Sequence, residues 1–263
     1  MKLVIDIGNR RIKWATSDQL ETAFQRDRNR ERIQGQVVET APENLRQNLG
    51  RHFGALTRPE KIVISSVSRQ SACHAVIRLC LALWKRQPEV LQATTQFGRL
   101  KNCYHPPHSL GADRWAALVA AGHRREGERI AVVDAGTAIT IDFIKLDGSF
   151  LGGMIFPGIG TMIQSLNRST DQIQVKPIIP PDRKLQITNN NTQCAVANGV
   201  VLSVVAAIDR AIGIFESEPG PKPRVIITGG DAGMVERLSV HEMLVEPALV
   251  LFGTLMLERQ MGP

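Results

Sequence analysis

A short pattern occurs twice in this 263-residue chain, and it limits the folds open to it. Leu3-Val4-Ile5-Asp6-Ile7-Gly8-Asn9 returns as Ala131-Val132-Val133-Asp134-Ala135-Gly136-Thr137. Each copy is an apolar run, an Asp, a Gly two positions on, a small polar residue, and then a second apolar run. Those second runs are Ile12 to Ala15 and Ile139 to Ile144. An unbroken apolar run closed by a turn signal marks a buried strand. Two such strand–turn–strand units, half a chain apart, predict two similar α/β halves around a cleft, each with an Asp at a strand end. The halves are expected at residues 1–115 and 116–263. No shorter period recurs, which excludes a solenoid.

The rest of the chain fits this alternation. Lys61 to Ser65 and Arg224 to Ile227 read as further buried strands. Cys73 to Trp84 carries Ala75, Val76, Leu79 and Leu83 at helical spacing. Trp115 to Ala121, Thr161 to Leu166, Thr192 to Phe215 and Ala248 to Leu257 also read as helices. Residues 171–190, with their prolines and asparagines, read as an irregular loop.

Composition narrows the class. Hydrophobic residues make up 43% and charged residues 22%, which is globular and excludes a disordered chain. The net charge of +7 suits an anionic partner without naming it. Arg26 to Arg32 is rich in arginine, but no aromatic residues interleave there to stack bases. Cys73, Cys80, Cys103 and Cys194 form no C-x-x-C pair and no zinc spacing. They are expected as core thiols in a reducing cytoplasm. The apolar stretch Ala195 to Ile208 is shorter than the ~20 residues that span a bilayer, and Asp6 interrupts any leader core. A soluble, cytoplasmic protein is expected, with no membrane partner.

The repeated turn has a chemical use. A glycine lets backbone N–H groups approach a phosphate closely, and the neighbouring Asp offers hard oxygens to a cation that bridges phosphates. Lys13, on the strand after the first turn, supplies a point charge, and Arg10 and Arg11 add to it. Thr228-Gly229-Gly230-Asp231 is a later strand-end turn whose glycines would let a flat base lie on the backbone. Gly111-Ala112-Asp113-Arg114 opens a helix. Asp113 is either a first-turn carboxylate favoured by the dipole or a general base for an attacking hydroxyl. Arg114 could hold an anionic group. A P-loop, a dinucleotide fingerprint and a nucleophile elbow are all missing from the sequence.

Taken together, Asp6-Ile7-Gly8-Asn9, Tyr104-x-x-Pro107-x-x-Leu110-Gly111-x-Asp113-Arg114, Asp134-x-Gly136-Thr137 and Gly152-Gly153-x-x-x-Pro157-Gly158 resemble the type III pantothenate kinases. Thr192 and the Thr228 to Asp231 turn fall in the same order. The Asp-x-Gly turns alone would point only to the wider sugar kinase, Hsp70 and actin superfamily. The resemblance implies an actin-like ATPase fold of two ribonuclease-H-like halves. It also implies ATP-dependent phosphorylation of pantothenate, the first step toward coenzyme A. By motif, Asp6, Ile7, Gly8, Asn9, Arg10, Arg11, Ile12, Lys13 and Thr137 would line ATP, and Asp113 would accept the proton. Tyr104, Gly111, Ala112, Asp113, Arg114 and Thr192 would contact pantothenate. Asp134 would ligate a monovalent cation, potassium or ammonium, beside the magnesium that accompanies ATP. A homodimer is implied. Arg10 stands where the family commonly has Thr.

Two other readings stay open on the sequence. One is a regulatory relative of this fold that binds nucleic acid or protein without kinase activity, although no recognition-helix pattern or aromatic platform supports nucleic acid. The other is a kinase of the same fold acting on a different small alcohol.

Overall fold

The computed structural model describes residues 1–25, 36–39, 45–67, 70–176, 179 and 184–260. In chain order, β1 (Lys2–Ile7) and β2 (Arg11–Thr16) are followed by α1 (Ser17–Gln25), β3 (Gln36–Glu39), α2 (Leu45–Gly54) and β4 (Lys61–Ser66). Next come α3 (Gln70–Trp84), the short strands β5 (Glu89–Val90), β6 (Gln96–Phe97) and β7 (Leu100–Lys101), and α4 (Ala112–Arg124). The second copy of the pattern forms β8 (Ile130–Ala135) and β9 (Ala138–Ile144), then β10 (Phe150–Pro157), α5 (Ile159–Ser169) and α6 (Thr192–Glu216). The chain closes with β11 (Arg224–Thr228), α7 (Ala232–Leu238), β12 (Met243–Val245) and α8 (Leu249–Gln260).

The duplication seen in the sequence extends to the sheets. One has the order β3-β2-β1-β4-β5 and the other β10-β9-β8-β11-β12. In both, the first three strands in sequence meander antiparallel, and the next two join the other side of the first in parallel. This is the ribonuclease-H-like order expected twice over. The two turns are not identical. Asp6 faces Lys13, which leaves Asn9 and Arg10 as the turn, whereas Asp134 faces Thr140 and leaves Thr137 alone.

The chain divides into two compact units, Met1–Arg124 with Pro247–Pro263, and Arg125–Glu246. The boundary expected at 115/116 falls inside α4, which runs unbroken, and α8 belongs to the first unit. The physical reason is packing. A Cβ on Gly253 of α8 would overlap the Ala116 carbonyl of α4, so the two backbones lie in contact and belong to one body.

In the first unit, Leu3, Ile5 and Ile7 pack into one layer with α2 and α3, and Trp14, Phe53 and Trp84 pack ring on ring there. Val4 and Ala15 face the other way, onto Leu251 and Leu255 of α8. A central strand covered on both faces must be apolar throughout, which is why β1 shows no alternation. Cys80 is buried, and that burial pushes its thiol up to about 12. Cys73 and Cys194 are half-buried and Cys103 is exposed, so only one of the four is a full core thiol.

Glu258 of α8 is 4% exposed and takes Lys2 Nζ at 2.6 Å and Lys61 Nζ at 3.2 Å. These lysines open β1 and β4, so the cluster fastens the end of the sheet away from Asp6. Burial pushes the Glu258 carboxyl up, but hydrogen bonds and charge from Lys2 and Lys61 outweigh it and hold the group below its ordinary value. A depressed carboxyl contributes stability above its unfolded pKa of ~4.3, and that contribution is lost as pH falls through the folded value. Glu258→Gln is therefore expected to cost about 2 kcal/mol at pH 7. The penalty is below that of a fully buried pair because both lysines keep 32% exposure. Denaturant melts at pH 7 and below pH 4 check this. The two proteins should converge at the acid end, and a penalty independent of pH would contradict the assignment.

In the second unit, Ala131, Val133, Ala135, Ile139 and Ile141 meet Val201, Val204, Ile208 and Ile212 of α6, with Ile163 of α5 and Val235 of α7. By length and composition α6 could cross a membrane, beyond the apolar stretch expected from sequence, yet half of that span is buried inside the protein. Arg129, 4% exposed, donates to the carbonyls of Phe215, Glu218 and Pro221 and closes the carboxyl end of α6.

Residues Arg26 to Arg32 lie outside the described residues, as does part of the loop expected over 171–190. The described part of that loop carries no helix or strand before α6. Local sequence pattern marks none of α1, β3, α2, β5, β6, β7, β10, α7 and β12. Most of these elements are short, and α1 and α2 are polar over most of their surface.

Candidate active site

In the first unit the candidate residues gather at the carboxyl ends of β1 and β4. Asp6 is 8% exposed and lies in register with Lys13 on one side and Ser65 on the other. Gly8 N–H donates to the Arg11 carbonyl at 3.0 Å and closes the turn. A Cβ on Gly8 would stand 3.2 Å from that same oxygen, tighter than a side chain tolerates without a shift. Asn9, Arg10 and Arg11 are exposed around this turn. Ile7 and Ile12 are not: both are fully buried in the α2–α3 layer, so only their backbone could meet a ligand.

The helix-opening segment reaches the same sheet end. Val67, just past β4, donates its N–H to the Ile7 carbonyl at 3.3 Å. A Cβ on Gly111 would lie 3.4 Å from Val67 and 2.7 Å from Asp113 Oδ1. Glycine at 111 therefore makes room for the Asp113 carboxylate. Asp113 is the second residue of α4, where the helix dipole favours the ionised form. Its Oδ1 accepts the Arg114 N–H at 2.7 Å. An ionised carboxylate held this way can accept a proton from a hydroxyl.

Arg114 is 7% exposed and donates to the Tyr104 hydroxyl at 3.0 Å, with its guanidinium 5.5 Å from the ring centre. The loop that carries Tyr104 is tied by Asn102, which no sequence motif marks. Asn102 accepts the Tyr104 N–H and donates to the carbonyls of Thr94 and Pro107. An asparagine in a polar loop gives no sequence signal for such a role. Asp6, Lys13, Tyr104 and Gly111 to Arg114 are thus all carried by the first unit.

In the second unit three glycine turns meet around Asp134 to Thr137. The Thr137 carbonyl accepts the Gly158 N–H at 3.0 Å and the Thr161 hydroxyl at 2.7 Å, which seats the start of α5 on the turn. A Cβ on Gly158 would overlap the Gly136 carbonyl. Gly229 has φ +101 and presses on Ala135, whose carbonyl accepts the Asp231 N–H at 2.9 Å. The Thr228 to Asp231 segment is therefore a strand-to-helix turn laid directly against the residue after Asp134. Thr192, by contrast, opens α6 and is exposed, with Asn191 capping the helix through the Cys194 N–H. It stands on a different element from these turns.

Among the described residues no group of three or more His, Cys, Asp or Glu could hold a metal ion. The acids offer single hard carboxylates instead. That donor set fits a cation that keeps water and takes further oxygens from a phosphate, as magnesium does.

A model of the type III pantothenate kinase family matches residues 2–213. The type III pantothenate kinase of Nitrosospira multiformis is 32% identical over 98% of this chain and 91% of its own. That of Nitrosococcus oceani is 31% identical over 96% of this chain and 92% of its own. Likeness of fold extends to a conserved putative Baf family transcriptional activator from Campylobacter jejuni, with TM-score 0.55 and 19% identity over 98% of both chains. It extends also to a putative 2-dehydro-3-deoxygalactonokinase from Sinorhizobium meliloti, with TM-score 0.53 and 13% identity over all of both chains. At such identities these two speak for the fold alone, and the fold class is the actin-like ATPase class expected from the sequence. On the family match and the near-full-length relatives, the chain belongs to the type III pantothenate kinase family.

Proposed function

We propose that this chain transfers the γ-phosphoryl group of ATP to the primary hydroxyl of pantothenate, with Asp113 as the proton acceptor. The observation that carries the reading is the seat of Asp113. It is a first-turn carboxylate, given space by Gly111 and placed at the sheet end that also holds Asp6. Phosphoryl transfer asks little covalent chemistry of a protein, so positioning and charge neutralisation supply most of the rate.

In this reading the backbone N–H groups of Asn9 and Arg10 donate to ATP phosphates, which the absence of a side chain at Gly8 lets come close, with Lys13 as a point charge and Arg11 beside it. Ile7 and Ile12 act through their backbone. Thr137 and Gly136 offer the matching turn in the second unit. Arg114, fixed by Tyr104, holds the pantothenate carboxylate, and Ala112 and Thr192 complete the alcohol's contacts. Asp6 would hold magnesium through its water shell, and Asp134 a monovalent cation. Magnesium, when bound, neutralises charge on the phosphates.

A homodimer accounts for the exposed apolar side chains Leu202 and Ile214 on α6 and Met154 and Ile155 on β10. Light scattering should then give twice the 29.0 kDa chain mass. A cytoplasmic location completes the reading. The regulatory alternative is not favoured, since the family match is to kinases over most of the chain.

ATP consumption measured with and without pantothenate, in potassium and in sodium buffers, tests the proposal. Turnover should need pantothenate and fall about tenfold or more in sodium. ATP hydrolysis indifferent to pantothenate would remove the substrate, and equal rates in both salts would remove the cation at Asp134.

A further inference from the structure

Six buried side-chain polar atoms among the described residues lack a hydrogen-bond partner. Two of them are hydroxyl oxygens in matching places. Ser65 Oγ, on a residue with 0% exposure, lies in β4 directly opposite Asp6. Thr228 Oγ1, on a residue with 1% exposure, lies in β11 directly opposite Asp134. Residues paired in register on parallel strands share a face of the sheet. Strand alternation agrees: Ile62 and Ile64 enter the α2–α3 layer, so Ser65 turns to the other face, as Asp6 does. Val225 and Ile227 enter the α5–α6–α7 layer, so Thr228 turns to the face of Asp134. The duplication has repeated a hydroxyl as well as an acid. The other four atoms, Arg86 Nε, Trp115 Nε1, Arg125 Nε and Glu216 Oε1, show no such correspondence.

A buried hydroxyl without a partner destabilises a fold, and alanine or valine would relieve it. Two of them beside two acids that would hold cations point to a hydrogen bond that forms when a bound cation sets the orientation of the acid. We infer that Ser65 and Thr228 are positioning residues for cations at Asp6 and Asp134, each hydroxyl hydrogen-bonding its neighbouring carboxylate when the cation is bound. The carboxylate keeps one oxygen for the cation and its water, and the hydroxyl fixes the rotation of the group through the other. Outer partners of this kind set how well a metal ligand is oriented. The inference rests on the assignment of magnesium to Asp6 and a monovalent cation to Asp134.

Two binding measurements test it. The first is calorimetric titration of a non-hydrolysable ATP analogue, with magnesium and with excess EDTA. The second is the rise in melting temperature on replacing choline chloride with potassium chloride. Ser65→Ala should weaken the magnesium–nucleotide complex about tenfold and leave the EDTA affinity unchanged, with Ser65→Thr restoring it. Thr228→Val should lose most of the potassium-induced rise, with Thr228→Ser restoring it. Without ligand, both Ser65→Ala and Thr228→Val should melt at or above the parent temperature, because each removes an unsatisfied group. A merely structural role would give the opposite sign: lower melting and equal loss in EDTA. That result, or parent-like cation responses in both variants, overturns the inference. Asp6→Asn and Asp134→Asn run alongside. If they too leave the cation responses intact, the cation assignment falls and the inference with it. If they abolish the responses while the hydroxyl variants do not, the inference alone falls.

Discussion

Asp113→Asn should phosphorylate pantothenate about a hundredfold to ten-thousandfold more slowly than the parent protein while binding nucleotide equally well. The asparagine keeps the shape of the side chain and can still accept the Arg114 N–H that now reaches Asp113 Oδ1 at 2.7 Å. Gly111 still gives it room, so the first turn of α4 should hold. Losing one negative charge at a helix start costs only about 0.5 kcal/mol of stability. What disappears is the ability to take a proton at neutral pH. The drop should therefore fall on kcat, with the Kd for an ATP analogue and the melting temperature almost unchanged. A variant that retains a third or more of the parent turnover would assign the proton to another group.

The second large effect is structural. Gly253→Ala should lose about 3 kcal/mol of folding stability, with a fall of roughly 6–12 °C in melting temperature. A Cβ at this position overlaps the carbonyl of Ala116 and crowds its carbon and Cα. All three of these atoms are backbone, so no rotamer change relieves the clash, and α4 or α8 must move as a body. Because α4 also carries Asp113 and Arg114, activity should fall with stability. Gly199→Ala on α6 is the control, since nothing lies within 4 Å of its would-be Cβ. There, the gain in helix propensity should stabilise by about 0.5–1 kcal/mol. Denaturant melts of the three proteins compare them, and parent-like unfolding of Gly253→Ala would refute the close crossing of the two helices.

The parts of this fold that could be read from sequence are those where a local pattern has one physical meaning. The apolar runs at Leu3 and Ala131 have no polar alternation because both faces of β1 and β8 are covered, and each does form the first strand of its sheet. The glycines at 8 and 136 mark turns because the backbone closes on itself there. Other features depend on what a segment meets, and a local pattern does not carry that. The apolar residues of α8 would suit either sheet, and only the fit of Gly253 against Ala116 assigns the helix to the first unit. The likeness of Asp-x-Gly-Asn to Asp-x-Gly-Thr conceals a difference of one residue in turn length, which appears only in the strand register.

Side-chain direction separates the site residues further. Ile7 and Ile12 sit within the first Asp-x-Gly turn segment, yet strand alternation points both into the core. Ser65 and Thr228 read as ordinary strand-end residues until the register sets them beside the acids. Asn102 gains its importance from three hydrogen bonds within a loop that has no periodicity to betray it. The tyrosine-to-arginine segment is more local. Its residues are contiguous in space as well as in sequence, with Arg114 reaching back to Tyr104.

The identity of the phosphorylated product tests the central claim most directly. Purified protein incubated with ATP, magnesium, potassium and pantothenate should yield one new species by mass spectrometry, pantothenate bearing a single phosphoryl group on its primary hydroxyl. It should form mole for mole with ADP. ADP released with no phosphorylated pantothenate, or clear preference for another alcohol in the same mixture, would contradict the account.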